Sequence, residues 1–253
     1  TMDLATPLWR RPFVAADALM FDLGKLLCPT HLGIDYGRGP VWLRAHGGGY
    51  GAGAVIAALG LGVWALRRRC PALFAGTGLF VTALLPPLGL TPFVFQVYST
   101  VADRYLYLAL LGPAFLLAAG LVKIRESAPM RVRLAAFSTC ALLLMGCAAR
   151  SVVQTRTWNN SIPLFTQALE VNPQSWVACN NLGAVALDQR QPLDALPLLA
   201  EAVRLRPGYA EAHANRGIAL LMLGARPDAE REFRTAARLK PDYLSAYTGL
   251  GDA

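Results

Sequence analysis

A period constrains this chain more than any other feature. Pro173, Pro207 and Pro241 stand 34 residues apart, and Gly183, Gly217 and Gly251 keep the same interval. Ala168, Ala202 and Ala236 repeat it, and Ala195 and Ala229 add a fourth series. Small residues at fixed places, with a proline closing each interval, describe a pair of antiparallel helices that touch through alanine and glycine. One such pair cannot bury its apolar face alone, so it must stack on its neighbours into a solenoid.

The pattern resembles the tetratricopeptide repeat. Its register predicts complete units over 176–209 and 210–243 and a third beginning at 244 that stops inside its first helix. A partial unit occupies 150–175, where WNNSIPLFTQALEVNP supplies the second helix, with Phe165 and Ala168 in the expected places. The opening Thr1–Met2 carries no cleavable signal, and the chain reads as an excerpt expected to continue beyond Ala253. First-helix positions of such a stack line a concave groove: Val177, Asn180, Asn181 and Ala184 in one unit, Glu211, Ala214, Asn215 and Ile218 in the next. Asn181 and Asn215 lie one repeat apart, and an asparagine amide offers both a donor and an acceptor to peptide backbone. At these two positions the chain resembles the repeats of the nucleocytoplasmic O-linked N-acetylglucosamine transferase. The candidate groove residues are thus Asn180, Asn181, Asn215 and Glu211, and the expected partner is a polypeptide; asparagine is also merely tolerated at such sites.

Upstream of the repeats the composition changes. Of the 253 residues 55% are hydrophobic and only 16% charged, and the net charge of +8 lies entirely within residues 1–150, where 14 Lys and Arg face 6 Asp and Glu. Four apolar runs, 50–66, 71–90, 105–122 and 134–149, contain no Asp, Glu, Lys, Arg or His and approach the roughly 17 to 25 residues that cross a bilayer as helix. The expected fold is therefore all-α: a polytopic helical membrane domain of about four spans, followed by an α-solenoid. Basic residues cluster in two connectors, Arg67–Arg69 and the segment holding Lys123, Arg125, Arg131 and Arg133, which the positive-inside rule assigns to the cytoplasm. Residues 1–49, the loop of Asp103 and Arg104, and everything after Ala149 are then expected outside, in the periplasm of a bacterial inner membrane or the lumen of the endoplasmic reticulum. Cations placed in short connectors argue for membrane orientation and against nucleic acid. The five cysteines are scattered without metal-ligand spacing and read as buried small residues, and no metal site is expected.

The outer segments carry the remaining signals. Phe13, Ala16, Met20, Leu23 and Leu27 fall on one helical stripe within 12–27, with Asp17 and Lys25 off it, which predicts a helix that lies on the membrane or packs on the spans. A loop follows with Asp35, Tyr36 and Arg38. Asp103 and Arg104 stand at the mouth of the third run, either as a snorkelling base beside its acid or as part of a site for an anion.

Three stretches, LGKLLCPTHLGIDYGRGP, STVADRYLYLALLG and RTWNNSIPLFTQALEVNP, together resemble the transmembrane and tetratricopeptide-repeat O-mannosyltransferase family of the GT-C class. The resemblance implies transfer of a sugar from a polyprenyl-phosphate donor to protein on the outer face, with the repeats presenting the acceptor and the lipid-linked sugar as the one expected cofactor-like ligand. It implies that Arg104, supported by Asp103, Asp35 and Arg38, meets the donor phosphate, and that the catalytic acid lies upstream of this sequence. The competing readings are a membrane-anchored scaffold without catalysis and a polysaccharide polymerase or ligase.

Overall fold

The computed structural model describes residues 6–88, 90, 99–101 and 105–253. Asp103 and Arg104 lie outside the described residues. Among those described every regular element is helical. The chain divides into two compact units, Thr1–Val153 and Gln154–Ala253.

In the first unit, α1 (Arg11–Leu27) and the short α2 (Pro40–Ala45) precede α3 (Tyr50–Leu66) and α4 (Pro71–Leu84). The apolar run over 71–90 is helical only as far as Leu84, because Pro86 and Pro87 have no N–H with which to continue the ladder. The next run forms α5 (Leu106–Ala109) and α6 (Leu111–Ser127), which break at Leu110. Pro113 explains the break, since it cannot donate to the Ala109 carbonyl four residues back. Finally α7 (Met130–Trp158) runs unbroken for 29 residues, well beyond the apolar run at its centre, and the boundary between the units falls within it.

The inner face of α1 differs from the expected stripe. Ala16 of that stripe is buried and Leu23 packs against the core, but Val14, Ala15, Ala18, Leu19 and Asp22 are buried too, whereas Leu27 is 84% exposed. Ala15, Ala18 and Leu19 pack with Phe80, Leu84, Leu88, Val101 and Ala109 into the core of this unit. Phe13 instead meets the start of α3, where its ring packs edge-on against Tyr50 at 4.8 Å. With contacts on two sides, α1 has no single apolar stripe.

Helices α4 and α6 approach through glycine. A Cβ on Gly76 would come within 2.5 Å of Leu116, and one on Gly112 within 2.8 Å of Phe80. Such small-residue contacts let two apolar helices pack without a hydrophobic driving force between them. Outward faces stay apolar: Leu61 and Trp64 of α3 and Leu142, Leu143, Leu144 and Met145 of α7 are all exposed, and α7 buries none of its residues. By length and composition, Leu106–Ser127 and Met130–Trp158 could each cross a bilayer. The cysteines were expected to be buried; only Cys179 is, while Cys28 and Cys70 sit exposed at helix ends and Cys147 on the open surface of α7.

The second unit contains α8 (Ser161–Val171), α9 (Trp176–Asp188), α10 (Pro192–Leu205), α11 (Ala210–Met222), α12 (Arg226–Leu239) and α13 (Leu244–Asp252). Its alanine series is the helix-to-helix contact: Ala195, Ala202, Ala229 and Ala236 have no exposed surface and Ala168 has 1%. Gly183 admits Leu199, and Gly217 admits Phe233, whose ring also lies against Gly249 of α13. Gly251, the third member of the glycine series, meets no neighbour within 4 Å.

Both interhelix turns inside the repeats are built alike. The α9 helix ends with Arg190 N–H donating to Leu187 O and Gln191 N–H to Ala186 O, and α11 repeats this with Gly224 to Leu221 O and Ala225 to Leu220 O. These are paired C-terminal bonds around a left-handed residue. Gly224 takes that conformation at φ 79° without a Cβ clash, but Arg190 occupies it at φ 60°. At the other end, the buried Ser175 hydroxyl accepts from Ala178 N–H and caps α9.

Candidate peptide groove and the α1–α2 loop cluster

The row of first-helix side chains is read from α9 and α11. Asn180 and Asn181 are adjacent in α9, so a turn of about 100° separates them and sends them to different surroundings. Asn180 is buried: its Oδ1 accepts from Asn215 Nδ2 at 3.0 Å and its Nδ2 donates to the Tyr209 hydroxyl at 3.5 Å. It was expected to line the groove and instead ties α9 to α11 from within. Asn181 is half-buried and donates to Val177 O four residues back at 2.8 Å. Asn215 is half-buried as well. Among the described residues, the Oδ1 of Asn181 and that of Asn215 have no partner, so two amide carbonyls one repeat apart are presented as acceptors.

Glu211, also on this row, is paired with Lys240 at 3.0 Å. The hydrogen bond to Glu211 raises the Lys240 ammonium above the usual lysine value, followed by the charge attraction of the same carboxylate. With Glu211 compensated, the first-helix row at 177, 180, 181, 184, 211, 214, 215 and 218 carries no uncompensated charge and no Lys or Arg. Beside it, Trp176 packs edge-on against Tyr209 at 4.5 Å with Arg206 4.1 Å over the Trp176 ring. Sequence reasoning did not single out Trp176 and Tyr209, though both flank the first helices where a capping proline turn ends.

One polar cluster within these repeats escaped the sequence reading. His213 of α11 is buried, with Nδ1 2.7 Å from Glu232 Oε2 and Nε2 3.0 Å from the Pro207 carbonyl. Arg216 reaches the other oxygen of Glu232 at 3.2 Å. The hydrogen bond to Glu232 is the main reason that the imidazole titrates above the usual histidine value; burial opposes it and the Pro207 carbonyl adds to it.

In the first unit, the loop residues offered for an anion are engaged with the fold. Arg38 makes two bonds to Asp17, Nη2 to Oδ1 at 2.7 Å and Nε to Oδ2 at 3.3 Å, and lies over the rings of Phe21 and Trp42. Asp35 is buried and accepts from Gly37 N–H at 2.8 Å, which closes a turn. Asp17 was expected off the working face of α1; it is the residue that anchors the loop. Arg38 and Asp35 therefore shape the loop between α1 and α2.

Residues 186–251 match the family model for the tetratricopeptide repeat. No curated protein matches the chain. Among solved structures, the chain is similar to the second tetratricopeptide-repeat domain of human RPAP3 in complex with the HSP70 peptide SGPTIEEVD, with 22% identity, a TM-score of 0.35, and coverage of 42% of this chain and 88% of that one. It is also similar to the first such domain of Spaghetti (RPAP3) bound to the HSP90 peptide SRMEEVD, with 21% identity, a TM-score of 0.35, and coverage of 44% and 87%.

Proposed function

We propose that this chain is a membrane-anchored peptide-binding protein whose groove holds an extended, uncharged polypeptide segment. The observation that carries the reading is the pair of uncommitted amide carbonyls at Asn181 and Asn215, one repeat apart on a row without net charge. Backbone N–H groups of an extended segment suit such acceptors whatever its side chains. An acidic tail would find no free cation on the same row. The anchoring half of the reading rests on the uncovered apolar faces of α3, α6 and α7, which a bilayer would satisfy.

The test uses the full chain in lipid nanodiscs against an array of fluorescent decapeptides that differ only in charge. Uncharged peptides bind best, and Asn181→Ala with Asn215→Ala weakens them about tenfold, as expected for two lost hydrogen bonds. Preference for acidic peptides, or indifference to both substitutions, contradicts the reading.

A second reading is sugar transfer from a polyprenyl-phosphate donor to the bound segment. It is favoured by the resemblance of the three stretches quoted above, with Arg104 as the donor-phosphate ligand. On this reading Arg104→Ala in the natural full-length protein abolishes transfer while insertion and abundance stay unchanged; persistent transfer removes Arg104 from the role.

A further inference from the structure

Among the many equivalent places at which the two complete repeats differ, three belong to one cluster. Cys179, Leu182 and Leu198 of the first become His213, Arg216 and Glu232 in the second, each 34 residues on. Three apolar side chains are thus replaced by groups that pair ionically between α11 and α12. Burying such groups is seldom the more stable choice, because desolvation offsets the attraction.

The geometry favours the doubly protonated ring of His213. Its ring nitrogens face a carboxylate oxygen at 2.7 Å and a backbone carbonyl at 3.0 Å, and both oxygens can only accept. Both nitrogens must therefore donate, which only the imidazolium does. Either neutral tautomer turns one lone pair toward an oxygen inside a buried site. The charged groups acting on the ring are Glu232 of α12 and Arg216 of its own helix; among the described residues α9, α10 and α13 contribute none. Arg216 pairs with the other oxygen of the same carboxylate at 3.2 Å, so Glu232 has a second cation beside the histidine.

We propose that His213, Glu232 and Arg216 form a protonation-dependent clamp: the imidazolium fastens α11 to α12 and to the turn at Pro207, and its deprotonation loosens the helix that carries Glu211 and Asn215. The clamp stands whether or not the groove binds peptide. Because the folded site raises the histidine above its ordinary value of about 6.5, its contribution is complete below that pH and is lost as pH rises through the folded value.

The full chain in nanodiscs, labelled with 15N histidine, tests this directly. With only three histidines, His31, His46 and His213, assignment is simple. His213 shows two protonated ring nitrogens at pH 7. Hydrogen exchange, corrected for intrinsic rate, then compares α11 and α12 amides with those of α9 and α10. Their opening relative to the first repeat rises about tenfold for each pH unit between the free and folded histidine values. The combined substitution His213→Cys, Arg216→Leu and Glu232→Leu, which imports the first repeat's residues, removes this rise. A neutral His213 ring at pH 7, an unchanged exchange ratio in the unmodified chain, or a rise that survives the triple substitution overturns the proposal.

Discussion

At Arg190 and Gly224 successive repeats use one backbone shape with different residues, and only one residue suits it. A left-handed conformation costs an L-residue roughly 1 kcal/mol, so Arg190→Gly is expected to stabilise the second unit by about that amount in chemical denaturation, while Gly224→Ala destabilises it similarly. The opposite case is Gly217, whose Cβ would stand 2.8 Å from the fully buried Phe233 ring. Gly217→Ala should cost about 1 to 3 kcal/mol, measured the same way, because the ring has nowhere to move. The alanine series and the pair Gly183 and Gly217 were legible because a repeat states its contacts by period, while in the third unit the contact falls on Gly249 and not on Gly251. Asn180 was not legible as a buried tie: it is adjacent to Asn181, and only the direction of the α9 face separates an inward amide from an outward one. The His213 cluster was hidden for a related reason, since Glu232 lies 19 residues away on another helix.

Among the elements, prolines decided what hydropathy could not. Pro86 with Pro87 and Pro113 shorten or break helices inside runs that are uniformly apolar, so apolar length overstates helix length. The α1 stripe was misjudged because a periodic pattern presumes one partner face, and α1 has contacts on two. The approach of α4 and α6 gives an element-scale test. Gly112→Val places atoms where Phe80 already lies, and should lower the stability of the full chain in detergent by about 1 to 3 kcal/mol, whereas Gly120→Ala, on the same helix with nothing within 4 Å, should leave it unchanged. Thermal unfolding of both variants distinguishes a packed α4–α6 contact from loosely adjacent helices.

For the whole molecule, composition already separates an apolar, basic stretch from a charge-balanced repeat stretch, and the two compact units divide close to that change. Two of the loop charges make contacts that the sequence does not show: Arg38 with Asp17 and Asp35 with the backbone of Gly37. The basic connectors lead us to propose an orientation with the repeats on the outer side. With the five native cysteines replaced, a cysteine at Arg204 is expected to react with an impermeant reagent from the outer side and one at Arg68 only after permeabilisation. The reverse pattern would place the repeats in the cytoplasm.

The central claim, that an extended segment lies along the first-helix row, is tested most directly by site-specific photocrosslinking in nanodisc-embedded full chain with the best uncharged peptide from the array. A crosslinking residue in place of Val177, Asn181 or Ile218 is predicted to capture the peptide, and one in place of the outward-facing Ala200 or Arg234 is not. Equal capture from both faces, or capture from the outward face alone, would contradict it.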